Sequence, residues 1–425
     1  MQPQTIIVKG PALSRSGYGE QTRFALEALR SRPDLFDVYI INIGWGRTGH
    51  ITDNSDLTVW IRHTIHKTLQ AIGPGGPSFR PDLSLQVTIP SEFEKIAPVN
   101  IGYTAAVETT KISADWIARS RDTVDKILTI SEHSKRVLEH TTYDIENPET
   151  GQRIEGFRIE CPVEVVSYPV RESEPEPLDI EFSTTKNFLA LSQWGPRKNL
   201  ENTISGFIQE FHNDEDVGLV LKTNLMSDSL IDRHHTAKRL ENFLKALNMP
   251  DRKCKIYLLH GELTPGNLTW LYRHPTMKAL VNIAHGEGFG LPLFEAAYNG
   301  LPLVTITWGG QLDFITKKNK KGKRVPRVSR VDYDIAPVHE NHVWEGVIEK
   351  DSMWAYAKLA SYKRALREIL TKETHYKKEA EVLKNHIHAE FGKDKMLESF
   401  VDAIHTPPDE DVREWLDKIE EMQAL

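Results

Sequence analysis

The sequence predicts an α/β protein of two domains, each a parallel sheet covered by helices on both faces. Three observations lead there. Strand-like and helix-like stretches alternate along both halves of the chain, as a parallel sheet with crossover helices requires. The stretch Arg171-Glu172-Ser173-Glu174-Pro175-Glu176-Pro177, acidic and proline-containing, separates the two runs and has linker composition. The length of 425 residues exceeds one ordinary core, domains usually running to roughly 100–200 residues.

The first half opens with a strand-like run at 5–9, a Gly/Ser loop and a helix-like stretch at 19–30 with Phe24, Leu26 and Leu29 apolar, together a β-loop-α unit. Further strand signals lie at 37–43, 99–105, 125–130 and 163–168. After the linker a strand at 188–191 leads to a helix from Asn199, where Leu200, Ile204, Phe207, Ile208 and Phe211 recur at helical spacing. A strand at 217–221 and a long helix near 230–247 follow. Strand signals at 255–259, 279–283 and 303–306 surround helices beginning near Thr264 and Pro292, and Thr264-Pro265 forms a good N-cap and first-turn pair. From Ser352 onward the chain reads as helical, closing with a stretch at 409–425 whose Val412, Trp415, Leu416, Ile419 and Met422 share one face. The expected organisation is one domain at 1–171, a linker at 172–186, a second domain at 187–405, and a terminal helix at 406–425 packing back across both.

A composition of 39% hydrophobic and 27% charged residues describes a globular chain. The net charge of -7 gives no global attraction to phosphate backbones, which leaves only a local basic patch for that purpose. Cys161 and Cys254 stand far apart without metal-ligand spacing, so a reducing, cytoplasmic setting is expected. Residues 1–8 lack the pattern of a signal peptide, and no apolar run approaches the ~20 residues that span a bilayer.

The chemistry concentrates in one βαβ unit: the strand at 279–283, a glycine-containing loop at 285–290, the helix from Pro292 and the strand from Leu303. Such a helix N-terminus favours a phosphate or sugar oxygen. Gly288 and Gly290 allow the backbone to approach a ligand, and Gly300 suits a C-terminal cap. Glu287 and Glu295 put one carboxylate on the loop and one in the first turns of the helix, where each accepts hydroxyl hydrogen bonds.

The segment from Glu287 to Glu295, with Gly288-Phe289-Gly290-Leu291-Pro292 inside it, resembles the E-x7-E motif of family-4 retaining glycosyltransferases. That resemblance implies the GT-B architecture, two Rossmann-like domains facing a cleft, with C-terminal helices. Ala190-Leu191-Ser192-Gln193-Trp194-Gly195-Pro196-Arg197-Lys198-Asn199-Leu200 resembles the family's strand, diphosphate-binding basic pair and helix start. Asp125 to Ser134 looks like its N-domain strand and turn, His260-Gly261-Glu262-Leu263-Thr264 like its nucleotide-side loop, and the loop holding Gly17 and Gly19 like its N-domain glycine loop. The resemblance implies that the second domain grips a UDP-, GDP- or ADP-sugar and the first receives an acceptor hydroxyl, with retention of anomeric configuration and no cofactor. By the same carry-over Glu295 binds the ribose, Glu287 contacts the donor sugar, and Phe289, Gly290 and Leu291 present backbone amides. Lys198 then stabilises the departing diphosphate. Gln193 stands where the family usually has an arginine, and Arg197 is the neighbouring cation that would compensate. Catalysis rests on Glu287, Lys198 and Arg197 through positioning and charge stabilisation, with no side chain assigned as base or nucleophile. Glu108, after an N-domain strand, is the acceptor-side candidate. The alternatives are a UDP-sugar epimerase of similar fold and a non-catalytic sugar-nucleotide binder.

Gly44-Trp45-Gly46-Arg47-Thr48-Gly49 matches a dinucleotide fingerprint in spelling, yet residues 50–56 are polar without helical period, so it is set aside. Asp214-Glu215-Asp216 and Asp409-Glu410-Asp411 read as a turn and a helix start, and no metal is expected. The stretch at 317–330 carries Lys317, Lys318, Lys320, Lys321, Lys323, Arg324, Arg327 and Arg330. It reads as a solvated loop, or as a surface for an anionic acceptor such as nucleic acid.

Overall fold

The computed structural model describes residues 2–73, 79–105, 107–146, 151 and 153–405. The expected helix at 406–425 lies outside the described residues. The first half contains β1 (Gln4–Gly10), α1 (Gly17–Arg30), β2 (Phe36–Asn42), α2 (Asp56–Ile72), β3 (Leu83–Val87) and β4 (Val99–Thr104). It continues through α3 (Ala114–Thr123), β5 (Lys126–Thr129), α4 (Glu132–His140), β6 (Tyr143–Glu146), β7 (Arg153–Phe157) and β8 (Val163–Val165). Six of these strands form one sheet in the order β2-β1-β3-β4-β5-β8, all neighbours parallel. A sheet covered on both faces has no solvent side, which is why β3 is buried at every position.

The second half comprises β9 (Lys186–Leu191), α5 (Leu200–Phe211), β10 (Val217–Lys222), α6 (Leu230–Ala246), β11 (Lys255–Leu259) and α7 (Pro265–Arg273). Next come β12 (Met277–Asn282), α8 (Leu291–Tyr298), β13 (Leu303–Ile306), α9 (Leu312–Ile315), β14 (Thr316–Lys318), β15 (Arg324–Pro326) and β16 (Ser329–Val331). The chain then forms β17 (Tyr333–Pro337), β18 (Met353–Ala357), α10 (Leu359–Thr371), α11 (Glu373–Glu390) and α12 (Lys393–Ile404). The second sheet runs β11-β10-β9-β12-β13-β16, again all parallel. The α5 stripe packs as its spacing predicts, with Ile204, Phe207 and Phe211 fully buried beside Phe188 of β9. Thr264 caps α7 in a reciprocal capping box with Asn267.

Two sequence expectations are corrected. The chain is not all helical after Ser352: Met353–Ala357 is a strand paired antiparallel with Tyr333–Pro337, its Trp354 and Tyr356 lying against the His285 ring. The basic stretch is not a plain loop, because β14 and β15 pair into a hairpin and β16 joins the main sheet. The linker residue Glu176 is held in place, its amide bonding Gly266 O at 3.0 Å and its carboxylate accepting from Thr264 Oγ1 at 2.5 Å. In addition, α12 packs on α1 of the first half.

That return is built on aromatic packing. Phe400 is fully buried, its ring 5.3 Å from Phe24 of α1 and 5.3 Å from Tyr103 of β4, while Lys126 Nζ donates to Ala403 O at 2.8 Å. Truncating Phe400 to alanine leaves a ring-sized cavity, expected to cost about 3–5 kcal/mol in urea unfolding. A destabilisation under about 1 kcal/mol would mean that α12 is not part of the first half's core.

Candidate active site

Lys198 and Arg197 stand on a short 3-10 turn, Pro196–Lys198, between β9 and α5. Asn199 then takes a left-handed conformation, φ 56°, and its side-chain amide donates to Ile283 O at 3.1 Å, which ties this turn to the end of β12. The loop after β12 brings Glu287 to the two cations. Lys198 Nζ reaches both Glu287 carboxylate oxygens, at 2.7 and 2.8 Å, and Arg197 Nη1 reaches Oε2 at 3.2 Å. Asn282 Nδ2 donates to Oε1 at 3.0 Å, and Gly310 N donates to the Glu287 carbonyl at 2.8 Å.

Only 5% of Glu287 is exposed. Burial opposes its charge, yet Lys198 and Arg197 outweigh burial and hold the carboxyl down at about 2. The Lys198 ammonium is itself lowered, by burial and by adjacent Arg197, although Glu287 works the other way. Arg197 Nη2 extends to Glu108 of the first half at 2.6 Å, and Nη1 also donates to Gly286 O at 2.6 Å. Burial raises the Glu108 carboxyl despite that partner. Glu287, Lys198, Arg197 and Glu108 therefore form one cluster across the seam between the halves.

The remaining predicted residues divide between this cluster and its supports. Gly290 is the N-cap of α8 with φ 91°, a left-handed conformation that favours glycine, and Leu291 is the first helical residue. A side chain on Gly288 would meet Ala105 O at 2.4 Å, so its bareness serves packing against the first half, where Ser131 Oγ also donates to Gly288 O at 2.6 Å. Phe289 turns inward, its ring 5.1 Å from both Tyr168 and Phe314. Gly17 and Gly19 lie in the first turn of α1, whose cap Ser16 accepts from Gly19 N at 3.0 Å. The adjoining Arg15 pairs with Glu262 of the second half. Gln193 points away from the cluster and donates to Leu225 O at 2.7 Å.

Glu295 is separate from the cluster, accepting from Tyr272 Oη at 2.8 Å. Burial pushes its carboxyl up to about 7, with the Tyr272 hydrogen bond pulling the other way. Sequence reasoning missed Asn282 and Tyr272. Asn282 ends the strand that leads into the motif, a local signal, whereas nothing local links Tyr272 to Glu295. It also missed the strap formed by β17, β18 and the turn between them, which docks on both halves. Ala355 N donates to His285 O at 2.9 Å, Met353 N donates to Thr110 Oγ1 at 3.0 Å, and Asp351 pairs with Lys111.

No family model matches the chain, and no curated protein matches it in sequence. Among solved structures, sucrose-phosphate synthase of Thermosynechococcus elongatus superposes with a TM-score of 0.58, covering 94% of this chain and 98% of that one at 13% identity. Anabaena HepE in complex with UDP and glucose covers 94% and 98% with a TM-score of 0.54 at 11% identity. The chain has the GT-B fold. A match to S. aureus TarM, at 13% identity and TM-score 0.48, covers 76% of this chain and 55% of that one, so the chain spans about half of TarM's length. Within this GT-B fold the charged cluster occupies the seam between two parallel sheets. No helix among the described residues is long and apolar enough to cross a membrane, and no group of three or more metal-ligating side chains gathers among them.

Glu287 makes stability depend on pH in a definite direction. Its folded value of about 2 lies below the ordinary glutamate value near 4.3. The stabilisation is thus complete above that ordinary value and lost as pH falls from there toward 2. Glu287→Gln leaves two partly buried cations short of a counter-charge and is expected to cost about 2 kcal/mol in urea unfolding at neutral pH. The gap to the parent should narrow as the solution is acidified; a gap constant with pH would sink the assignment.

Proposed function

We propose that this chain is a glycosyltransferase that moves a sugar from a nucleoside diphosphate sugar to an acceptor hydroxyl, with retention of anomeric configuration. The observation that carries this reading is the Lys198–Glu287–Arg197–Glu108 cluster at the seam, partly buried around a buried Glu287. Two adjacent cations and a helix start without a side-chain cap offer a diphosphate both point charges and backbone amides.

In this reading Lys198 and Arg197 hold the diphosphate, the amides at Phe289, Gly290 and Leu291 face sugar and phosphate, and Glu287 accepts hydroxyls of the donor sugar. Glu295 accepts the ribose hydroxyls. The bond between the anomeric carbon and the phosphate oxygen breaks while the acceptor oxygen bonds to that carbon on the same face. The acceptor proton passes to the departing diphosphate, and the two cations stabilise the charge that develops there. No metal or cofactor is needed by this scheme. HepE was solved with UDP and with UDP-glucose, which makes uridine nucleotides the first donors to test, ahead of GDP- and ADP-sugars.

Thermal shift with UDP, GDP and ADP tests the donor side, since a ligand at a hundredfold excess over its Kd stabilises by about 2.7 kcal/mol. Glu295→Ala should abolish the shift, and an unchanged shift overturns the ribose role. Because the ionised Glu295 is the acceptor and its carboxyl sits at about 7, nucleotide affinity should weaken as pH falls below that value, by up to about tenfold per unit, and level off above it.

Glu108 and the diphosphate both draw on Arg197. Glu108→Gln should therefore tighten nucleotide binding while lowering turnover at saturating donor by roughly tenfold or more, the scale of removing one charged partner from the transition state. Near-normal turnover dismisses the acceptor role. With donor alone, slow release of free sugar fits a transferase, and an isomerised sugar nucleotide would indicate an epimerase instead.

A further inference from the structure

The basic stretch that the transfer chemistry leaves unused is a preorganised element. In the β14–β15 hairpin Lys317 pairs with Val325 and Lys318 with Arg324, directly opposite one another. Like charges facing across an antiparallel pair are destabilising. The turn is nonetheless well made: Asn319 Oδ1 accepts from Lys321 N at 2.9 Å and Lys323 N at 3.0 Å, and Asn319 N donates to Lys323 O at 2.9 Å. Of the eight cations between 317 and 330, Arg327 pairs with Glu379 at 2.9 Å. The other seven make no ion pair among the described residues, in a chain of net charge -7. Lys318, Lys320, Lys321, Lys323 and Arg324 are exposed. Such repulsion is relieved by a polyanion.

We propose that the β14–β15 hairpin docks double-stranded DNA through its phosphate backbone. A two-stranded ribbon fits the major groove of B-form DNA, whereas the deep, narrow groove of an RNA duplex does not admit side chains. A membrane surface fits less well, because basic interfacial segments normally carry apolar side chains for insertion, and no large hydrophobic residue between 316 and 330 is exposed. The exposed run lacks aromatic residues, so the duplex is gripped at its phosphates, independently of base sequence.

The hairpin also hangs at the seam. It follows α9, whose Asp313 accepts from Glu132 N of the first half at 2.8 Å, and the loop before α9 holds the Glu287 carbonyl through Gly310. DNA on the hairpin thus lies beside the cleft, and the acceptor class becomes a hydroxyl carried on DNA; that last step rests on the proposed transferase activity.

The test is fluorescence anisotropy of a labelled DNA duplex across a salt series, with the full chain and with the triple variant Lys320→Ala, Lys321→Ala, Lys323→Ala. The parent should bind with a steep salt dependence. The variant should bind at least tenfold more weakly at low salt, with a log–log slope shallower by about 2.7, near 0.9 for each phosphate no longer neutralised. Absence of duplex binding at low salt, an unchanged slope, or equally tight binding to an RNA duplex or to phosphatidylglycerol vesicles overturns the proposal. The UDP shift, measured on both proteins, reads the transferase proposal separately. A parent that binds duplex without any UDP shift keeps the docking and loses the acceptor step. A variant that keeps the UDP shift while losing duplex rules out misfolding. With a duplex bearing a hydroxylated base, sugar transfer should fall at least tenfold in the variant while hydrolysis of donor alone stays unchanged; equal transfer by both proteins overturns the acceptor step.

Discussion

Glu287 is held by three donors at once, from Lys198, Arg197 and Asn282, and nearly all of it is out of water. Bringing a carboxylate and two cations into a protein costs several kcal/mol per ion unless each is paired and hydrogen-bonded. The arrangement therefore persists only with the turn at Pro196–Lys198, the end of β12 and the loop at 285–290 all in register. That register sets where α8 begins and turns Phe289 into the core against Tyr168 of the first half. It also leaves Arg197 one free edge, which crosses to Glu108.

The two glutamates of the motif show how environment divides identical side chains. Glu287, beside two cations, is held down at about 2, while Glu295, half-buried with a tyrosine as its partner, is raised to about 7. One is a permanent charge that organises cations; the other changes charge near neutrality. Under the proposed transferase activity, a donor diphosphate entering the seam would compete with carboxylates already seated on Lys198 and Arg197, coupling donor binding to the freeing of Glu108 through a single guanidinium.

Two parallel sheets around a seam are a general scaffold, and function resides in what is grafted onto it. Two such additions lie in the second half. The strap between β17 and β18 fixes the His285 backbone and reaches Thr110 and Lys111, bracing the loop that carries Glu108. The β14–β15 hairpin adds concentrated positive charge at the same seam.

The sequence alone determined the alternation of strands and helices, the break at the linker, the βαβ unit with Glu287 and Glu295, and the basic pair Arg197-Lys198. Each is written in local spacing, which backbone periodicity and helix capping read directly. The tertiary structure decided what depends on residues far apart in the chain. Tyr272 meets Glu295, Glu108 meets Arg197, and α12 returns to α1, because folding brings these together and no periodicity marks them beforehand. It also decided that Gly288 makes room for Ala105, and that a basic run which looks like a solvated loop is a hairpin with Lys318 facing Arg324. The physical reason is shared: charge and bareness are visible in a sequence, but which atoms face them is settled only when distant segments pack.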